Sequence, residues 1–444
     1  MRRPDLLVLA GTIALVVAAV LVGQHVDVQA ATAPLYALRD PHAGPGTIPA
    51  VVIAALVIFA LPTSWPWGRL MAVSYAAAFG WTLSLALVDG WHDGVATRLT
   101  VDAEYLAALP HTGDIPSMIR GYADRILDFQ PDSWNTQAAG HPPGALLVFA
   151  GLDRIGLAGG VPAALVCIAV GSLAAVAVPA TLRSLGSPEV ARAAVPFVIL
   201  FPGAVWVGVS ADGLFLGVTS VAVALLATGR AVWALPAGLL FGYAVFLSYG
   251  LVLMAFLAVA VAVAARRWRP LLWASAGAVL PIAAFAAAGF WWFDGYAAVR
   301  VRYYQGIAAQ RPYWYWVWAN LAALAFSAGP AGYAAVAAAA RHATRWARRA
   351  RSPHWIRVPG RILGQDSTEN PDPAQKVAIL ALGAVAAIVV ADLSGLSKAE
   401  VERIWLPFAI WLPAAAALLP RRKAWLVAQA VTALAVNHLL HTVW

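Results

Sequence analysis

The chain has a single cysteine, Cys167, in 444 residues. No disulfide can therefore form within it, and no cysteine-based metal site either. Cys167 lies in an apolar run, where it reads as a small core residue. Lysine is nearly missing, occurring only at 376, 398 and 423. Charged residues make up 11% of the chain, against about a quarter in a soluble domain. Also absent are a glycine-rich phosphate loop, an HExxH pair and a nucleophile elbow, so a nucleotide site, a zinc-peptidase site and an activated serine have no support.

What the chain has in excess is apolar surface: 61% hydrophobic residues and a mean hydropathy of +0.74. One globular core cannot hide that much, so lipid must solvate part of it. Backbone polar groups in lipid are satisfied only in helices or closed barrels. Unbroken runs such as 251–264 and 377–390 lack the alternation of a barrel. The expected fold class is all-α membrane, a polytopic bundle of about 13 helices at some 20 residues per span. The expected spans are 5–23, 48–63, 69–88, 162–182, 193–208, 212–228, 232–247, 249–265, 270–290, 314–340, 376–391, 404–419 and 424–442. The first resembles a signal peptide but reads as a retained helix, because no cleavage site precedes a soluble domain.

Charge sets the expected orientation. With the N-terminus in the cytoplasm, 20 of the 30 basic residues fall inside and 16 of the 21 acidic residues outside, as the positive-inside rule requires. The net charge of +9 then reflects topology and anionic headgroups rather than nucleic acid. The sequence reads as one membrane domain over 1–444, with an extracytoplasmic loop at 89–160 and a cytoplasmic basic loop at 341–375. Within the outer loop, 145–156 is apolar but short and contains Asp153 and Arg154. Counting it as a span would invert every later loop, so it is expected to be an interfacial or re-entrant helix. The expected location is the plasma membrane, multi-pass, with the working site on the extracytoplasmic face.

The polar residues that could carry chemistry cluster on that face. The outer loop opens with Asp89, His92 and Asp93 among glycines, and a carboxylate there can act as general base toward a hydroxyl. The acids that follow, from Asp102 and Glu104 to Asp132, read as a solvated acidic loop. His141, before Pro142-Pro143, is expected at a helix N-terminus. Asp212 follows Ser210-Ala211, where a helix cap and a role in the site are equally good readings. The segment 291–313 puts Arg300, Arg302 and Arg311 on the side that should be poor in arginine. A phosphate is a natural partner for guanidinium, and the nearby Tyr303 and Tyr304 suit both an interface and a sugar ring. Glu400 and Arg403 stand at the start of a late span, where Arg403 can hold phosphate or pair with Glu400. His92 with Asp89 and Asp93 makes at best a loose divalent-metal cluster.

With an early outer aspartate, a Gly-His-Pro-Pro element (140–143) before a membrane-dipping helix, and Ser-Ala-Asp-Gly at 210–213, the chain resembles the GT-C superfamily of membrane glycosyltransferases. The resemblance implies a polyprenyl-phosphate sugar donor, a glycan or glycolipid acceptor and membrane lipids as partners, with no nucleic acid. It implies Asp89 or Asp93 as catalytic base of an inverting transfer. It implies Arg300, Arg302 and Arg403 around the donor phosphate, and His92, His141, Asp212, Tyr303, Tyr304 and Glu400 around substrate. The superfamily usually carries this loop after the first span, whereas here it follows the third expected one. The Ala- and Arg-rich sequence is similar to actinobacterial envelope enzymes, within which methylthioxylose, mannosyl and arabinofuranosyl transfer all remain open. A polytopic transporter or lipid-linked-sugar flippase is the rival class. It should show charge at mid-membrane, and the expected spans carry essentially none.

Overall fold

The computed structural model describes residues 3–351, 355–358, 361–364 and 371–442. Within the expected basic loop 341–375, residues 352–354, 359–360 and 365–370 lie outside the described residues. The chain is a mostly helical, multi-pass membrane protein. Among the described residues, six helices are long and apolar enough to cross a bilayer: 6–25, 67–89, 160–184, 269–287, 313–345 and 373–393. Five more apolar helices are only 10–17 residues long, short of the roughly 20 needed to span alone. Two expected spans are broken into pieces. Residues 193–208 divide between Pro188–Ile199 and Ala204–Val207. Residues 404–419 become a run of four-residue turns beginning at Leu406, which Pro407 and Pro413 explain by removing backbone donors.

The helices used below are α1 (Arg3–His25), α2 (Trp67–Ala86), α3 (Pro143–Arg154), α4 (Ala211–Ala227), α5 (Ala231–Leu247), α6 (Arg269–Ala287), α7 (Trp292–Gln305), α8 (Tyr313–Arg351), α9 (Pro373–Leu393) and α10 (Arg422–Leu439). Those at the periphery, α1 and α6, expose Leu7, Ile13, Leu272 and Leu280, as lipid contact demands. The centre is tight. Helix α8 breaks at Gly329 (φ 74°) before Pro330, a conformation that favours glycine. Buried Gln429 of α10 repairs the break. Its Nε2 donates to the Ala328 carbonyl at 3.1 Å and its Oε1 accepts from the Ala331 N–H at 3.2 Å, so no backbone group is stranded in lipid.

Polar pairing gathers at one end of the bundle. The C-terminal ends of α1, α2, α9 and α10 lie there, with the N-terminal end of α8. Strand Ala37–Arg39 pairs antiparallel with Leu440–Thr442. Tyr315 at the start of α8 donates to the Ala19 carbonyl of α1 at 2.8 Å. The opposite end carries the other cations. There Arg192 donates to the carbonyls of Thr63 and Trp65 at 2.7 Å, Lys376 donates to Leu185 at 2.8 Å, and Lys423 lies over Phe59. Helix α3 has 12 residues, about 18 Å at 1.5 Å per residue, too short to cross. It leans on α5, whose Tyr243 hydroxyl donates to the Gly144 carbonyl at 2.9 Å.

Candidate active site

The site starts where α2 runs out. Past Ala86 the chain makes a tight turn, and Asp89 ends it before Gly90 (φ 83°). The linker after α1, Asp40-Pro-His-Ala-Gly-Pro-Gly46, lies against this end. A Cβ on Gly46 would sit 1.8 Å from the Ser84 carbonyl oxygen, so only glycine permits the approach. This brings His42 Nε2 within 2.8 Å of Asp89 Oδ1, while His42 Nδ1 faces the Asp40 carbonyl at 2.7 Å. Both ring nitrogens thus face acceptors, and an ionised Asp89 requires the doubly protonated ring. Burial works against the charged imidazole, but the Asp40 carbonyl and Asp89 outweigh it and raise its pKa above 6.5. Asp89 is 17% exposed. Asp93 differs: it is bonded to its neighbour, His92 Nδ1 at 2.6 Å, and both side chains are largely solvated.

A second group of charges is buried beneath. Arg403 pairs with Asp212 at 3.2 Å and with Glu400 at 3.3 Å. Arg311 pairs with Glu400 at 2.9 Å and donates to the Lys398 carbonyl at 2.8 Å. Asp212 does not cap α4, since Ser210 occupies that position. Asp212 sits in the first turn, where the helix dipole favours an anion. The segment carrying Glu400 and Arg403 is pinned by Asn320 of α8, which bonds Asp392, the Ser397 carbonyl and the Ala399 N–H. Ala399 and Glu400 both hold left-handed backbone, at φ 70° and 62°. This is strain that the surroundings must impose.

Glu104 and Arg98 link the two groups. The sequence places Glu104 in a solvated acidic loop. In the structure it is 4% exposed, because the 102–137 segment is folded: Asn135 Nδ2 donates to the carbonyls of Asp102 and Glu104, and Gln137 donates to the Glu104 carboxylate at 3.3 Å. Burial pushes its pKa up to about 7 against the pull of Arg403, with Asp212 adding to the rise. Arg98 is attracted by Asp89, Glu104 and Asp93 and repelled by Arg403. His141 closes the group. It sits between the rings of Tyr105 and Phe215, at centroid distances of 5.7 and 5.6 Å, with Nδ1 at 2.9 Å from the Gln137 carbonyl. Burial lowers its pKa, favouring the neutral ring.

Of the residues singled out by sequence, Asp89, His141, Asp212, Glu400 and Arg403 are thus brought together. Arg302 is taken up by Asp128, and Arg300 lies on an exposed face of α7, so neither shares the carboxylates of Arg403. Tyr303 and Tyr304 engage Lys398: the Tyr303 hydroxyl accepts from its N–H at 2.8 Å, and its ammonium lies 5.0 Å from the Tyr304 ring centre. His42, Arg98 and Glu104 join the site without having been singled out. Among the described residues no group of three His, Cys, Asp or Glu side chains is arranged to hold a metal.

No family model matches this sequence, and no curated protein matches it. Among solved structures, the oligosaccharyltransferase of Archaeoglobus fulgidus, determined in complex with zinc and sulfate, is similar with a TM-score of 0.45 at 13% identity. The overlap covers 84% of this chain and 53% of that one, so the chain spans about half that protein's length. It is too loose for any residue role or activity to be carried across.

Proposed function

We propose that the chain is a membrane glycosyltransferase of GT-C type, moving a sugar from a polyprenyl-phosphate donor to a hydroxyl of an envelope glycan or glycolipid at the extracytoplasmic face. One observation carries the reading: a partly exposed carboxylate, Asp89, and a buried guanidinium, Arg403, both act electrostatically on the half-buried guanidinium of Arg98, Asp89 attracting it and Arg403 repelling it. An anion between two such cations relieves their repulsion, and phosphate oxygens match guanidinium geometry. The carboxylate supplies the base that the acceptor needs.

In this mechanism the polyprenyl chain stays in lipid and its phosphate enters between Arg98 and Arg403. The Asp89 carboxylate takes the acceptor hydroxyl proton while the oxygen bonds to the anomeric carbon. The bond from that carbon to the phosphate oxygen breaks, its electron pair leaves on the phosphate, and configuration inverts. The guanidiniums stabilise the charge that grows there. His42 orients Asp89 and acts as a positioning residue. Glu104, protonated up to about pH 7, adds no negative charge beside the phosphate below that pH. Within the GT-C resemblance, Asp93 is the alternative base, and Arg300, Arg302, His92, Tyr303 and Tyr304 belong to an outer rim that meets substrate before it enters.

The test is transfer by the purified protein in vesicles supplied with polyprenyl-phosphate sugars and envelope glycans. Asp89→Asn should lower kcat by about 10²–10⁴-fold, and Asp93→Asn by far less. If neither change slows transfer, the base assignment is wrong. Facilitated movement of intact donor lipid across the bilayer, without transfer, would instead favour the flippase class.

A further inference from the structure

A cavity of about 490 Å³ opens just after α1, lined by Gly23, residues 26–31 and 36–38, and Ile307. That volume falls in the range of small-ligand sites. It lies at the same end of the bundle as the charged cluster and adjoins it through Tyr36. The Arg311 guanidinium lies 4.9 Å from the ring centre of Tyr36, and Arg311 pairs with Glu400, the partner of Arg403. The Tyr36 N–H also donates to Glu402.

Its polar lining is preorganised. The Gln29 side chain donates to Asp27 Oδ2 at 2.7 Å and its backbone N–H donates to Oδ1 at 3.1 Å. Gln29 itself is held at φ 55°, which costs energy for a residue other than glycine. Each carboxylate oxygen can accept a second hydrogen bond, so Asp27 can take two parallel donations from neighbouring hydroxyls. Tyr36, Leu38 and Ile307 add apolar surface, the latter two 52% and 40% exposed. Of the lining residues Asp27 alone is charged. A phosphate would be repelled there, whereas a neutral polyhydroxyl ring with one apolar face fits.

We propose that this cavity is the acceptor subsite, binding a neutral sugar ring of the glycan that receives the transferred residue. The proposal rests on the sugar-transfer reading above. Two measurements separate the fates of the two ideas. In the transfer assay, Asp27→Asn and Gln29→Ala should raise the acceptor KM by about tenfold or more, with donor KM and kcat unchanged. Ala31→Trp, which fills the cavity from an exposed position, should do the same. An unchanged acceptor KM, or a shift in donor KM instead, overturns the subsite while leaving the transfer reading intact. Independently, saturation-transfer NMR with methyl glycosides of mannose, arabinofuranose and glucose should detect binding to the detergent-solubilised wild type and its loss in Ala31→Trp. Binding that survives Ala31→Trp, or none of the three glycosides binding, also overturns it. Binding lost in Ala31→Trp by a wild type that transfers nothing would keep the subsite and end the transferase reading.

Discussion

Replacing Glu104 by glutamine should stabilise the protein, and only at high pH. In the folded chain the Glu104 carboxyl is raised from 4.5 to about 7, with burial as the main cause. A carboxyl whose folded pKa exceeds its unfolded value takes up a proton on folding, so its ionisation opposes the folded state. The penalty is absent below about pH 4.5, grows as the pH climbs toward 7, and then levels off. At roughly 1.4 kcal/mol per pH unit, the rise from 4.5 to about 7 sets a ceiling of about 3.5 kcal/mol. Glutamine matches the protonated acid in shape and keeps the contact with Gln137. The two proteins should therefore unfold alike at pH 4, and Glu104→Gln should be a few degrees more stable from pH 7 upward, by thermal unfolding in detergent. In the transfer assay the donor KM of the wild type should rise above pH 7, as the ionised Glu104 begins to repel phosphate, while that of Glu104→Gln stays flat. If Glu104→Gln instead loses ground to the wild type as pH rises, Glu104 is an ionised partner of Arg403 and the reasoning fails.

Three other outcomes are expected. His42 has a folded pKa above 6.5, so its pairing stabilises fully below that value and fades as pH climbs through the folded pKa. His42→Gln should accordingly cost most thermal stability between about pH 5 and 6.5 and least under alkaline conditions, and a deficit that grows with pH would contradict the pairing. Arg403→Leu leaves the buried Asp212 without its counter-charge, while Glu400 keeps Arg311, and should lose about 3–5 kcal/mol in denaturant unfolding; a neutral result would mean the cluster is hydrated. Cys167 is fully buried, so single-cysteine variants give clean labelling. Asp93→Cys and Arg300→Cys should both react with an impermeant maleimide from the extracytoplasmic side, and reaction from opposite sides would end the proposed orientation.

Class and architecture were legible in the sequence because they rest on long-range averages: apolar runs, sparse charge and loop asymmetry each sum over many residues. Span count was less so. Pro407, Pro413 and the Gly329-Pro330 break divide apolar stretches that hydropathy alone treats as continuous. In the site, Asp212 and Arg403 were readable as polar residues at span ends, but their pairing across 191 positions was not. Glu104 gave no local signal, since its burial depends on Asn135 and Gln137 arriving from a later turn. His42 did leave a trace. It sits in a short linker stiffened by Pro41 and Pro45 and narrowed by Gly44 and Gly46, a composition suited to holding one side chain in place. Arg300 and Arg302 were singled out for being on the wrong side by charge, and Arg302 finds its compensation in Asp128.

The central claim is that the lipid phosphate is received between Arg98 and Arg403, next to Asp89. A structure of the protein with a bound polyprenyl-phosphate sugar tests this most directly. The phosphate should lie within hydrogen-bond reach of both guanidiniums, with the anomeric carbon turned toward Asp89. A phosphate seated at the opposite end of the bundle, among Arg421, Arg422 and Lys423, would contradict the account.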